Sequence, residues 1–230
     1  MIHSNFQCEF YFIRHGESES NVTPGFAAGV NFDAPLTPLG FDQAEMLGRR
    51  FKDEGMRFDR IYSSSMTRTL QTTETMLKAM EDASRPFTKV DDIIEQQTPG
   101  WRGVPISEAL TPEVVAYRGL KGPHFVPPQG ESSMMVQRRV SNWIEREIIY
   151  NEELVKEEQS LTVAVVGHGN ASRALFQYIL GFDSHFLNRI SLDNTSISRF
   201  IFNHYGWSLV TLNDASHLGV RPSPSFENRT

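Results

Sequence analysis

Apolar residues in this chain follow two patterns: short continuous runs, and longer stretches in which every third or fourth position is apolar. Residues 9–13, with Phe10, Tyr11, Phe12 and Ile13 in succession, predict a buried strand that ends at Arg14-His15-Gly16. Thr37-Pro38 is an N-cap with proline at the first helical position. Phe41, Ala44, Leu47 and Phe51 then keep helical spacing, and Gly55 supplies a stop. A strand over 60–63 and a helix from about Thr67, carrying Leu70, Thr73, Met76 and Leu77, follow. Residues 90–94 predict a third strand ending at Glu95. The next stretch, 96–129, is rich in Pro and Gly and without a period. A loop that long in a compact domain points to a lid or a substrate-selecting element.

Helical spacing returns over 132–150 through Val136, Val140, Trp143, Ile144 and Ile148. Residues 161–166 form the strongest strand, which turns at Gly167-His168-Gly169-Asn170 into a helix over 171–180 closed by Gly181. A hairpin over 197–203 and 208–212 comes next, and the Pro- and Ser-bearing tail from Val220 is expected to be loose. Strands alternating with helices predict an α/β layered sandwich, its largely parallel central sheet flanked by helices. The expected organisation is one domain over 1–219 with the selecting segment, 96–130, inside it.

Composition narrows the function. Lys plus Arg number 22 against 28 Asp plus Glu in 230 residues, a net charge of −6 without basic blocks. That is a poor electrostatic match for nucleic acid or anionic lipid. The apolar runs are far shorter than a membrane span, and the first residues lack a signal-peptide layout. The expectation is a soluble, cytoplasmic protein. The single cysteine, Cys8, excludes a disulfide framework or a multi-cysteine zinc site, and reads as a small apolar residue. His3, His124, His185 and His204 read as surface or satisfied histidines, and the acidic run 151–159 as a solvated helix end.

In a parallel α/β sheet, ligands gather at the carboxyl ends of the strands. Three predicted strands end there in ionisable groups: Arg14-His15, Glu95 and His168. A neutral imidazole can attack phosphorus and form a covalent phosphoenzyme. Guanidinium forks such as those of Arg14 and Arg68 match the charge and shape of the phosphoryl oxygens. A protonated carboxylic acid can supply the departing alkoxide with its proton. These residue types suffice for phosphoryl transfer without a metal or an organic cofactor. The phosphate-loop, zincin and nucleophile-elbow motifs are missing.

The order of these residues resembles the histidine phosphatase superfamily, the group that includes cofactor-dependent phosphoglycerate mutases. Arg14-His15-Gly16-Glu17-Ser18-Glu19-Ser20-Asn21 is similar to the family's R-H-G-E-S-x-x-N. The stretches 33–40, 63–72, 130–132, 166–170 and 213–218 match in order, so the resemblance spans 10–218. It implies a phosphoglycerate mutase-like fold, His15 as the phosphorylated nucleophile, and Arg14, Arg68 and His168 on the phosphoryl oxygens. It further implies Asn21, Gly169 and Asn170 lining the phosphate pocket and Glu95 as the proton donor. His217 reads as structural within the last motif.

Around the acid, this chain departs from a family pattern resembling E-x-x-x-G-x-W-E-G: Pro99 stands for the first glycine and Arg102 for the second glutamate. A cation in place of an anion near the pocket mouth favours substrates with a second negative group. The leading expectation is a metal-independent phosphatase acting on phosphomonoesters, with a phosphorylated small molecule or a phosphoprotein as substrate. Phosphoglycerate mutase is the alternative. The mutases resemble one another in E-R-H-Y-G after the acid and in paired basic residues beyond. Here Glu95 precedes Gln96-Gln97-Thr98-Pro99, and no comparable pair lies between Arg102 and Arg138. An inactive phosphoryl-binding module is a third possibility. Such relatives lose a catalytic histidine or arginine, and none is missing here.

Overall fold

The computed structural model describes residues 2–23, 25–27 and 32–219, apart from the side chain of His185; the tail from Val220 lies outside the described residues. Six strands form one sheet: β1 (Phe6–Arg14), β2 (Arg60–Ser64), β3 (Thr88–Val90), β4 (Gln159–Gly167), β5 (Ile197–Asn203) and β6 (Gly206–Asp214). Their order is β3-β2-β4-β1-β5-β6. The first four run parallel, and the β5–β6 hairpin adds antiparallel to β1.

Side-chain alternation on the central strands builds two cores. Phe10 and Phe12 of β1 and Val163 and Val165 of β4 face Trp143, Ile144 and Phe176. Tyr11, Ile13, Ala164 and Val166 face Leu47, Phe51, Met76 and Leu77. The first set of partners belongs to α5 (Ser133–Ile144) and α7 (Gly169–Leu180), the second to α1 (Pro38–Asp53) and α2 (Thr67–Ala79). The result is the expected layered α/β sandwich.

Local signals set the helix ends. The Thr37 hydroxyl accepts from Gly40 N at 3.1 Å with Pro38 at the first position. Gly181 closes α7 in the left-handed region at φ 65°. α2 is capped from afar: Asp33 accepts from Thr67 N at 2.7 Å and from its hydroxyl at 2.8 Å.

Several expectations need correction. The run 90–94 is not a strand; β3 stops at Val90 and a 3-10 turn covers Asp91–Ile93. Its two carboxylates turn outward to Ser65 and Arg146 while Ile93 joins the core. The segment 96–129 is not structureless. It carries a 3-10 turn at Pro99–Trp101, α3 (Ile106–Ala109) and α4 (Pro112–Lys121). No residue of α4 is buried, so no inward-facing period marks it, although Thr111-Pro112 repeats the cap seen at Thr37-Pro38.

The helix expected over 132–150 is capped by Ser132 and changes at Glu145 to a π-helical turn, Glu145–Ile149, where the Tyr178 hydroxyl meets Glu145. The acidic run is partly α6 (Glu152–Val155), whose Val155 is buried. Within the segment 96–129, Trp101 stacks on Phe125, and the backbone pairs with the loop after β1. Ala27 N donates to Val104 O at 3.0 Å and Ile106 N to Gly25 O at 2.9 Å.

Candidate active site

Strand register assembles the site. Arg14 of β1 pairs with Gly167 of β4, so the next residues, His15 and His168, emerge side by side at the carboxyl edge of the sheet. Their ring centroids are 5.2 Å apart. β2 ends level with Arg14 and Gly167 at Ser64, whose hydroxyl lies 2.8 Å from His168 Nε2. The first turn of α2 brings Arg68 beneath His15, with Arg68 Nε donating to His15 Nε2 at 3.1 Å. His15, Arg68 and His168 are 3%, 4% and 0% exposed.

Two hydrogen bonds settle the tautomer of His15. Its Nδ1 lies 2.6 Å from Gly16 O, which can only accept, so Nδ1 carries the proton. Arg68 Nε can only donate, so Nε2 presents its lone pair. Burial and the charges of Arg14 and Arg68 hold the imidazole well below its ordinary pKa of 6.5. His168 is pushed down in the same way by burial, Arg68, His15 and Arg14. Both rings are therefore neutral near pH 7.

Arg14 reaches Leu192 O with Nη1 at 2.6 Å, and burial together with Arg173 lowers its pKa to about 10, leaving it charged at neutral pH. Arg14 Nε and His168 Nδ1 are buried with no hydrogen-bond partner among the described residues. Buried donors and acceptors are seldom left so. Arg14 precedes His15 in the chain and the His168 ring lies 5.2 Å from the His15 ring, so the two atoms are open to an oxygen-rich anion at this site. Among the described residues no group of three or more His, Cys, Asp or Glu is placed to hold a metal ion. The positive charge in the site comes from guanidinium groups.

Glu95 follows the turn after β3 and docks on the amino end of α7, accepting from Asn170 N at 3.2 Å and Ala171 N at 3.1 Å. The adjacent Gly169 leaves little room: a Cβ there would lie 3.3 Å from Arg173 Nη1 and 3.7 Å from Arg14 Nε. Asn21 accepts from Ser18 N and its hydroxyl through Oδ1. His15, Arg14, Arg68, His168, Glu95, Gly169 and Asn170 thus converge. Arg102 stays exposed at the rim, its guanidinium 5.5 Å above the Phe32 ring, while Phe32 O accepts from Arg68 Nη1 at 2.8 Å.

Three contributors have no role in the sequence reading, although Ser64 and Thr72 lie within the matched stretch 63–72. Ser64 engages His168, and Thr72 Oγ1 accepts from Gly16 N at 3.0 Å, pinning the loop after His15. Arg173, one turn into α7, stands beside Arg14 and donates to Asn170 Oδ1 at 3.0 Å. Its spacing from Asn170 is the signal that points to it.

Comparison with known proteins gives a consistent family. The model for the histidine phosphatase superfamily (branch 1) matches residues 10–215. A broad-specificity phosphatase of Saccharomyces cerevisiae is 28% identical over 82% of this chain and 76% of its own length. A Proteus mirabilis protein named "Probable phosphoglycerate mutase GpmB" is 30% identical over 91% of this chain and 94% of its own. A phosphoserine phosphatase variant of Entamoeba histolytica, solved with phosphoserine, shares the fold with a TM-score of 0.74 at 24% identity, covering 92% of this chain and 99% of its own. No helix among the described residues is long and apolar enough to cross a membrane.

Proposed function

The chain belongs to the histidine phosphatase superfamily, and we propose that within it this protein is a metal-independent phosphomonoesterase acting through phosphohistidine on His15. One observation carries the reading: His15 directs its Nε2 lone pair at Arg68, and the neighbouring Arg14 and His168 each keep a buried nitrogen without a hydrogen-bond partner among the described residues. Arg68 Nε gives up its hydrogen bond to Nε2 as the phosphoryl group arrives, and the freed lone pair attacks phosphorus while Arg14, Arg68 and His168, with Asn21, Gly169 and Asn170 around them, hold the equatorial oxygens. The ester P–O bond breaks, and Glu95 acts as the general acid that delivers a proton to the leaving oxygen. Water then attacks the phosphohistidine, Glu95 takes the proton, the P–N bond breaks and inorganic phosphate departs. The segment 96–129, joined by backbone pairing to residues 25–27, acts as the lid, and Arg102 at its rim favours a small phosphorylated substrate with a second negative group.

Hydrolysis is favoured by the lack of a comparable basic pair between Arg102 and Arg138 and by the likeness to the broad-specificity phosphatase of yeast. The second reading, phosphoglycerate mutase, is favoured by the name of the Proteus mirabilis relative. Incubation with a phosphomonoester followed by rapid quench is expected to leave acid-labile phosphate on His15, and an active His15→Ala protein refutes the reading. A coupled assay of 3-phosphoglycerate with 2,3-bisphosphoglycerate separates the two. Efficient isomerisation reverses the order.

A further inference from the structure

The sequence motif from Asn213 to Leu218 takes no part in the chemistry above, yet it is wired to the nucleophile. The turn Leu192 to Ser196 packs its backbone against Arg14 and His15. Thr195 N donates to Arg14 O at 3.0 Å and His15 O at 3.3 Å, and Arg14 N donates to Ser196 O at 3.2 Å. Asn194 Nδ2 donates to His15 O at 3.0 Å and lies 3.4 Å from Asn21 Oδ1. Leu192 O accepts from the Arg14 guanidinium. One turn therefore grips the proposed nucleophile, an arginine of the phosphoryl site and the loop bearing Asn21.

The turn holds its shape against a local preference. Thr195 is fully buried and sits at φ 55°, in the left-handed region that a β-branched residue strongly disfavours. Such strain persists only where surrounding contacts over-determine it, and it clusters at functional sites. The contacts are present. Thr195 Oγ1 donates to Asn194 O at 2.8 Å, which leaves it to accept from His217 Nε2 at 2.9 Å. Asn213, itself left-handed at φ 57°, accepts from Asp193 N at 2.6 Å and donates to Asp193 Oδ2 at 3.1 Å.

We propose that Thr195 and His217 are positioning residues for His15. Their hydrogen bond holds the left-handed backbone that aims Thr195 N–H at the Arg14 and His15 carbonyls and so sets the direction of the imidazole. The catalytic part of this inference rests on the reading of His15 as nucleophile; the geometric part does not.

The test pairs single-turnover phosphorylation with nitrogen NMR of the ligand-free protein. Thr195→Val keeps the shape and removes the hydroxyl, while Thr195→Ser keeps the hydroxyl. Thr195→Val is expected to slow phosphorylation of His15 at saturating substrate by roughly 10- to 100-fold, as small misplacements of reacting groups do. Its KM should hold within about threefold, and Thr195→Ser should keep most of the rate. His217→Ala should reproduce the loss, His217→Gln should restore part of it, and the Thr195→Val/His217→Ala double variant should be no slower than either single one.

In NMR, Thr195→Val and His217→Ala should erode the Nδ1–H tautomer of His15. That readout stands even if the wild-type protein forms no phosphohistidine, an outcome that sinks the phosphatase reading alone. The inference is overturned if both variants keep the tautomer, or if a shifted tautomer leaves phosphorylation at the wild-type rate in a protein that phosphorylates. Should Thr195→Val fail to fold, His217→Ala decides.

Discussion

Acidification offers a direct test of the buried histidine pair. His15 and His168 are 3% and 0% exposed, and both are held well below 6.5 by burial and by neighbouring guanidinium charge. Unfolding returns each ring to its ordinary value of about 6.5. Below that pH the unfolded chain takes up protons that the folded protein refuses, so stability is full above about pH 6.5 and falls as the pH falls towards the folded values. As long as neither buried ring takes up a proton in the folded protein, each forfeits at most about 1.4 kcal/mol per pH unit below 6.5, so the pair forfeits up to roughly 2.8 kcal/mol between pH 7.5 and 5.5.

For a chain of this size that corresponds to a fall of about 6–11 °C in Tm. Urea titrations across this range should show nearly two protons taken up on unfolding at pH 5.5. His15→Asn with His168→Asn should flatten the dependence. Asp214, depressed by its hydrogen bond to Arg50, loses its contribution only below the ordinary aspartate range, outside the window measured. A stability that is level from pH 7.5 to 5.5, or a slope that survives the double substitution, refutes the neutral buried pair.

Three further outcomes are expected. Glu95→Gln should slow turnover of alkyl phosphates by about 10²- to 10⁴-fold, the usual scale of general acid–base catalysis, and phenolic esters far less; equal loss on both removes Glu95 from the acid role. Gly40→Ala places a Cβ 2.0 Å from Glu17 O, where the first turn of α1 meets the loop after His15, and should cost about 1–3 kcal/mol in urea denaturation. Arg102→Glu should lower kcat/KM for carboxylated or bisphosphorylated esters roughly tenfold or more relative to a neutral monoester, the scale of one charge-assisted hydrogen bond. Equal effects on both classes make the rim steric only.

Local pattern was enough to reveal most of the architecture. The continuous apolar runs of β1 and β4, the Thr37-Pro38 cap and the Gly181 stop act over a few residues, and each element that depends on them stands where its pattern puts it. Arg14, His15 and His168 were legible because they stand at strand ends, which a parallel sheet lines up whatever the rest of the chain does, whereas Arg68 and Glu95 were legible through the resemblance alone. What tertiary structure alone decided involves partners far apart in the chain. α4 buries nothing and so leaves no period to read. The 3-10 turn after β3 forms where Asp91 and Asp92 find Ser65 and Arg146. Ser64 meets His168 across 104 residues, and Asn194 meets His15 across 179. The tautomer of His15, the resting place of Glu95 on α7 and the left-handed turn at Thr195 all depend on such meetings. A hydrogen bond needs two groups within about 3 Å, and for residues so distant in sequence only the completed fold brings them there.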